Sequence, residues 1–287
     1  MAITALSIIG ETINDSVPST KKLFDAEDIE GLLELARFQD QQGAAYIDVN
    51  VGPRSPEFMA EMVRKIQGVT AKPLSIDTPD PEIARAGLAA YDAGRAGGRP
   101  PILNSISPLR MEMFDLFQVL PFRPILLVSE QVIDGRSRPC RTAEETYAAA
   151  QFLVAQARAH GIAVADCIID PGIAPIGSDC EGNLLRLMTA IEKIHHDPAL
   201  AGIHMSVGLS NFTVMLPAKR ADGSPLKGPL ESAFLTKAMP LGLDMVIGSV
   251  RRNYQLLAPD HPAMVCLEDC LKLGSMESIM RVRDFYT

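Results

Sequence analysis

Acidic and amide side chains in this sequence fall repeatedly at the ends of short apolar runs. Asp48 and Asn50 close one run (Tyr46-Ile-Asp-Val-Asn50), Asp77 a second (Leu74-Ser-Ile-Asp77), Asn104 a third (Ile102-Leu-Asn104) and Asp170 a fourth (Ile168-Ile-Asp170). A further run leads into Gly208-Leu-Ser-Asn211, and the first leads into Gly10-Glu-Thr-Ile-Asn14. An ionised carboxylate only accepts hydrogen bonds, whereas a carboxamide both donates and accepts. A ring of such groups, with His204 as its only candidate histidine and no cysteine, suits a flat neutral heterocycle that offers several N–H donors and a carbonyl. A phosphate or carboxylate ligand would be repelled unless a metal intervened. Carboxylates can themselves hold a hard cation, but no His/Asp/Glu spacing here forms a ligand cage, so no bound metal is expected.

The elements that must position these groups are legible in the same runs. Eight apolar, β-branched stretches, 3–9, 46–51, 74–77, 102–105, 125–129, 167–170, 204–208 and 245–248, alternate with longer helical segments. A strand–helix unit needs about 30 residues or more, so eight of them in 287 residues predict an α/β fold, a single (β/α)8 TIM barrel spanning 1–287 with no linker and no internal repeat. Barrel enzymes build their sites at the C-terminal ends of the strands. Successive strand residues alternate faces. Asp48 therefore shares a face with Asn50, and Ser75 with Asp77, while Val49, Val51, Leu74 and Ile76 take the other side. The acids and amides can point into the barrel mouth with their apolar neighbours facing the helices. A 2-amino-4-oxopterin fits such a mouth, since one carboxylate can take its ring N–H and exocyclic amine together.

Helix signals occupy the intervening segments. Thr142 and Glu145 form a capping-box pattern ahead of 147–160. Ser55–Pro56 and Asp80–Pro81 each offer an N-cap residue followed by proline at the first helical position. Asp25-Ala-Glu-Asp28 reads as an acidic first turn, followed by a stripe of Leu32, Leu33, Leu35 and Ala36. Gly43 and Gly161 stand where helices should stop.

The composition is that of a folded domain: 47% hydrophobic and 22% charged residues. Lys and Arg total 27 against 35 Asp and Glu, a balance of −8 that gives no support to a nucleic-acid or anionic-membrane partner. No apolar run approaches the roughly 18 residues of a membrane span, and the start MAITALSIIGETIN lacks a basic leader and a cleavage site. Five cysteines, an odd number, fit a reducing cytoplasm better than a disulfide scaffold. Cys266 and Cys270, one helical turn apart in 265–273, read as core or surface positions, because no second cysteine pair lies nearby. His195 and His196 sit at a helix end, where dipole-stabilised histidines are common. His204 reads as a satisfied core residue rather than a site residue.

The motifs Ile9-Gly-Glu-Thr-Ile-Asn14, Tyr46-Ile-Asp-Val-Asn-Val-Gly-Pro53, Ser75-Ile-Asp-Thr78, Leu103-Asn-Ser-Ile106, Ile169-Asp-Pro171 and Gly208-Leu-Ser-Asn211 together resemble those of the pterin-binding methyltransferases. Within that group the sequence is most similar to the methyltetrahydrofolate:corrinoid methyltransferase family, including the folate-side components of corrinoid-dependent demethylase systems. The resemblance covers nearly the whole chain and keeps the motif order. It implies a pterin-binding barrel, commonly a homodimer in one-carbon metabolism, that moves a methyl group between N5 of tetrahydrofolate and the cobalt of a corrinoid (cobalamin) carried on a separate protein. By motif position, Asp77, Asn104 and Asp170 would hydrogen-bond the pterin ring and Asn211 would lie near N5 as the catalytic residue. Glu11, Asn14, Asp48, Asn50, Ser206 and Gly208 would shape the same pocket. The chain has no corrinoid-binding Asp-x-His-x-x-Gly signature of its own, so the corrinoid would come from a partner.

Two departures stand out. Members of that family carry a polar glutamine shortly after Gly-Leu-Ser-Asn; here Asn211 is followed by Phe212-Thr-Val-Met215, so a second N5 contact is not carried over. Residues 217–229, rich in glycine and proline, look longer than usual and read as a loop on the active face. Its Lys219, Arg220 and Lys227 are expected to meet the folate glutamate tail or the corrinoid partner. Other readings stay open. Dihydropteroate synthase is also a pterin-binding barrel, but it needs basic residues for a pyrophosphate leaving group, where this chain has Ser210-Asn-Phe and Ile173-Ala-Pro-Ile. A folate-binding protein without turnover is the rival of another class. A direct methylamine or aryl-ether methyltransferase would call for a zinc or an aromatic cage, and the chain has no tryptophan.

Overall fold

A computed structural model describes residues 3–287. Along these residues, strands and α-helices follow one another as β1 (Ser7–Asn14), α1 (Pro18–Asp25), α2 (Ile29–Gln41), β2 (Tyr46–Asn50), α3 (Pro56–Ile66), β3 (Leu74–Asp77), α4 (Pro81–Ala90), β4 (Ile102–Ile106), β5 (Arg123–Leu127), β6 (Glu130–Ile133), β7 (Arg136–Pro139), α5 (Ala143–Ala159), β8 (Ile168–Asp170), α6 (Asn183–His195), β9 (His204–Met205), α7 (Leu209–Phe212), α8 (Lys227–Ala238), β10 (Met245–Gly248), α9 (Pro262–Lys272) and α10 (Ser275–Tyr286). Eight of the strands form one parallel sheet in the order β10-β1-β2-β3-β4-β5-β8-β9. A parallel bridge between Gly208 and Ile247, with the Ile247 N–H donating to Val207 C=O at 3.0 Å, joins the last strand to the first in that order. The sheet is thereby a closed (β/α)8 barrel.

Two apolar assemblies show which way each strand residue faces. A small one fills the barrel interior: Ile9, Ile102, Ile125, Ile168 and Met245, with Tyr46 and Ile247 packed against it. A large one lies between sheet and helices and includes Val49, Val51, Leu74, Ile76, Leu103 and Val207. The expected parity holds. Asp48 and Asn50 follow the inward Tyr46 at steps of two, Asn104 follows Ile102, and Asp170 follows Ile168. A polar layer thus sits on an apolar floor.

Local signals acted where the sequence placed them. The Thr142–Glu145 capping box opens α5. Ser55 and Asp80 cap α3 and α4 ahead of their prolines. Gly43 and Gly161 take positive φ just past α2 and α5. Some expectations need correction. The first strand is Ser7–Asn14, not 3–9, because the chain stays extended through Gly10-Glu-Thr-Ile and a register shift between Gly10 and Ile13 carries it past the expected end. Asp25 ends α1 rather than opening a helix; Asp28 is the cap of α2 and accepts the Gly31 N–H. The β6–β7 hairpin was not expected. Its turn, Asp134–Gly135, has positive φ at both residues (52° and 72°), the backbone that an Asp-Gly pair favours between antiparallel strands. The expected loop 217–229 is shorter, since α8 starts at Lys227.

Candidate active site

The polar layer is built by adjacent strands. Asp48 stands opposite Ser75, and Asp77 opposite Asn104, in the sheet register. The Ser75 hydroxyl donates to Asp48 Oδ1 at 2.6 Å, and the Asn50 Nδ2 amide donates to Asp77 Oδ2 at 2.9 Å. Asn50 Oδ1 in turn accepts the Gly52 N–H at 2.9 Å, which settles its amide orientation. Asp170 Oδ1 accepts the Gly172 N–H at 2.8 Å across the turn that follows β8. Ser206 is fully buried, one step below Gly208 on the same face. Ser206 Oγ is buried and meets no partner of hydrogen-bonding geometry among the described residues. Buried polar atoms are rarely left so; it is an inward-facing position of the polar layer, where a polar ligand would sit.

Burial dominates the electrostatics of this layer. Asp48 is pushed well above the usual carboxylate range, first by burial and then by the negative charge of Asp77, with Ser75 and Asn104 opposing. Asp77 is also raised by burial, but hydrogen bonds from Asn50 and Asp48 and the charge of Arg110 work against the rise. The two carboxyls titrate as a pair, and burial raises both, Asp48 further than Asp77. Asp170 is pushed up to about 6 by burial, with the Gly172 N–H and Arg186 opposing. Glu11 is raised by burial against a hydrogen bond from Ser210 and the charge of Arg252.

Each expected site residue can now be located. Glu11 accepts from the hydroxyl of Ser210, the residue before Asn211. Asn14 is engaged locally. Its Oδ1 accepts the Ser16 N–H (2.9 Å) and hydroxyl (2.6 Å), so only its NH2 group remains for a ligand. Gly208 packs so closely that a Cβ there would lie 2.9 Å from Asn211 Nδ2. Asn211 is exposed on α7, and its carboxamide hydrogen-bonds no described residue. Lys219 is exposed at the base of a turn, paired across it with Pro225, and Lys227 begins α8. Arg220 is tied to α10, its Nε donating to Phe285 C=O at 2.8 Å and its guanidinium lying 4.5 Å over the Phe285 ring. His204 pairs with Asp244 at 2.5 Å at the start of its strand, at the end of the barrel opposite the polar layer.

Three residues essential to this geometry were not singled out in the sequence. Arg186 of α6 is buried and donates to Thr146 Oγ1 (2.9 Å), Pro171 C=O (3.0 Å) and Gly172 C=O (3.0 Å), which fixes the turn that carries Asp170. Arg110, after β4, reaches Ser105 Oγ at 3.3 Å and acts electrostatically on Asp77. Glu231 of α8 is a fully buried carboxylate behind α7. Among the described residues no group of three or more His, Cys, Asp or Glu side chains is arranged to hold a metal ion.

A barrel that carries inward carboxylates and carboxamides above an apolar floor defines a class, and comparison with known proteins identifies it. The profile of the family described as "Pterin binding enzyme" matches residues 12–248, and the chain belongs to that family. Among its relatives is a protein of Eubacterium limosum named methylcorrinoid:tetrahydrofolate methyltransferase, 28% identical over 247 residues, which cover 84% of this chain and 83% of that one. The motif resemblance to the methyltransferase branch thus has a counterpart along most of the chain. Solved structures share the fold. A Yersinia pestis dihydropteroate synthase bound to a pterin–sulfa conjugate superposes with a TM-score of 0.58 at 14% identity, covering 93% of this chain and 95% of that one. The Xanthomonas albilineans dihydropteroate synthase in complex with 7,8-dihydropteroate gives 0.50 at 18% identity, with coverage of 95% and 94%. Among the described residues no helix is long and apolar enough to cross a membrane.

Proposed function

We propose that the chain acts as a single unit, 1–287, that transfers a methyl group between the cobalt of a corrinoid held on a separate protein and N5 of tetrahydrofolate. The observation that carries this reading is the inward layer of carboxylates and carboxamides above the apolar floor, with Ser206 Oγ buried and unpartnered among the described residues and the exposed Asn211 amide engaged by none of them. The Eubacterium limosum relative's name supports the reaction, and the ordered strand-end motifs support the branch.

In this reading Asp77, Asn104 and Asp170 hold the edge of the pterin, with Glu11, Asn14, Asp48, Asn50, Ser206 and Gly208 shaping the rest of the pocket. Asp170, fixed through Oδ1 by Gly172, presents Oδ2 to a ring N–H and the neighbouring amine. Methylation of tetrahydrofolate takes place when the N5 lone pair forms the N–C bond as the carbon–cobalt bond breaks. The bonding pair stays on cobalt as Co(I), and the N5 proton is released. The reverse transfer needs N5 protonated so that it can leave. Asn211 can turn its oxygen toward a protonated N5 or its NH2 toward a free lone pair, which serves either direction. It supplies no proton itself, so the expected contribution of the chain is positioning and electrostatic stabilisation.

Dihydropteroate synthesis fits the site less well. Arg186, the arginine beside the Asp170 turn, is spent on Thr146, Pro171 and Gly172 rather than facing a leaving pyrophosphate. The decisive experiment follows the visible spectrum of a corrinoid protein mixed with the purified chain. Conversion of methyl-Co(III) to Co(I) on addition of tetrahydrofolate, or the reverse with methyltetrahydrofolate, is the expected result. A flat spectrum in both directions with a competent corrinoid carrier would refute the proposal.

We place the corrinoid partner over the barrel mouth, since cobalt must reach N5. Next to Asn211 stand Val214 and Met215, 43% and 86% exposed, and beyond them Lys219 and Lys227; the folate glutamate tail is the other acidic candidate for these lysines. Met215→Glu combined with Lys219→Ala is expected to raise the KM for the corrinoid protein about tenfold and to leave folate affinity unchanged. Steady-state kinetics with varied corrinoid protein checks this, and an unaltered KM would remove these residues from the docking surface. Cytoplasmic location and a homodimer belong to the same proposal.

A further inference from the structure

Asn211 stands on α7, a helix of four residues. One turn has too few backbone hydrogen bonds to hold itself; the Asn211 N–H donates to Gly208 C=O at 2.9 Å, and the orientation of the turn must come from its surroundings. Leu209 and Phe212 are buried beneath it, the Phe212 ring 5.1 Å from that of Phe234 on α8. Ser210 is tied to Glu11 of β1. Immediately behind Asn211, Thr213 donates its hydroxyl to Glu231 Oε1 at 2.5 Å, and Glu231 Oε2 lies 3.3 Å from Arg252 Nε in the segment after β10. Four parts of the barrel meet at the base of a single turn.

Glu231 is an unusual choice for that place. It has no solvent exposure. Burial holds its carboxyl above the usual range, with Thr213, Arg252 and Lys227 opposing and Glu11 adding to the rise. A residue needed only to fill space there would be apolar, because burying an ion pair is often no better for stability than a well-packed hydrophobic replacement. What a carboxylate adds is direction: a hydrogen bond fixes an angle as well as a distance, which apolar contact does not.

We infer that Glu231 and Thr213, with Arg252 as counter-charge, are positioning residues that aim the Asn211 carboxamide at the reacting nitrogen. This rests on the folate reading above and adds to it a layer that touches neither substrate. Thr213 limits where the turn can end, and Glu231 limits where Thr213 can sit. Removing the Thr213 hydroxyl therefore lets the turn rotate while the pterin edge stays held by Asp77, Asn104 and Asp170. The loss should appear in the transfer step and not in folate binding.

The test compares Thr213→Val, which keeps the shape of the side chain, with Thr213→Ser, which keeps the hydroxyl. Thr213→Val is expected to slow methyl transfer at saturating substrates by about tenfold to 100-fold, the scale at which small misplacements act. Its Kd for methyltetrahydrofolate should be unchanged in equilibrium dialysis, and Thr213→Ser should recover most of the rate. Amide hydrogen exchange followed by mass spectrometry should rise over 208–214 in the valine variant and not in the serine variant. Glu231→Gln, which keeps an acceptor oxygen for Thr213, should lie between wild type and Thr213→Val and guards against a variant that is simply unfolded. A valine variant as fast as wild type, parallel losses of rate and affinity, or serine failing to restore the rate would each overturn the inference. If wild type binds folate but transfers no methyl, the functional reading fails instead. Exchange over 208–214 then decides by itself whether the clamp orders the turn.

Discussion

Replacing Asp170 with asparagine is expected to weaken methyltetrahydrofolate binding by about 100-fold, with the fold intact. The carboxylate is buried and one oxygen is already committed to the Gly172 N–H. A carboxamide in its place sets an NH2 group against the N–H donors of the pterin, and losing one member of a buried charged hydrogen bond costs about 2–5 kcal/mol. The native protein adds a pH signature. The Asp170 carboxyl is raised from its ordinary value of 3.8 to about 6. The folded protein therefore binds this proton more firmly than the unfolded chain does, and the contribution of Asp170 to stability falls as pH rises through that window. Ligand binding has the opposite sign. The pterin needs the ionised form, so affinity climbs about tenfold per pH unit up to about 6 and then levels off. Titration calorimetry across that range checks the affinity and denaturant unfolding the stability, with Asp170→Asn expected to lack both pH steps. Affinity independent of pH in wild type, or an asparagine variant that binds as tightly, would remove Asp170 from the pterin edge.

The second large effect is expected at Asn211. Asn211→Ala should cut the rate of methyl transfer by about 100-fold, the range seen when a single dipole aimed at developing charge is removed. Folate affinity should change little, because Asn211 is exposed and lies beyond the layer that holds the ring edge. Rapid-mixing observation of Co(I) appearance measures the rate and equilibrium dialysis the binding. A variant that transfers at the native rate, or loses only affinity, would show that the amide is not at the reacting centre. The two variants together separate grip from chemistry, since the proposal assigns the first to Asp170 and the second to Asn211.

The barrel and most of its polar layer were legible because period-two alternation is a local property. Asp48 and Asn50, like Ser75 and Asp77, had to share a face once their runs were strands, and the hydrogen bonds from Ser75 to Asp48 and from Asn50 to Asp77 show that they do. Arg186, Arg110 and Glu231 were not legible. Their roles depend on loops and helices converging from distant parts of the chain, as when Arg186 reaches Thr146 and Pro171 at once. The β6–β7 hairpin was different: Asp134-Gly135 between β-prone residues is a strong local turn signal, and the regular rhythm of strand and helix obscured it. The contact of Arg220 with the Phe285 carbonyl and ring was likewise out of reach, since it joins residues 65 apart in the chain.

The isoleucine floor has a consequence for protons. Ile9, Ile102, Ile125, Ile168 and Met245 beneath the acids offer no hydrogen-bonding side chain to carry a proton, which leaves the open mouth as the route the barrel provides. In the proposed reading a pterin covers these acids from above and a partner protein closes the mouth over it, so the proton that leaves N5 on methylation must pass to a neighbouring side chain or out through the mouth.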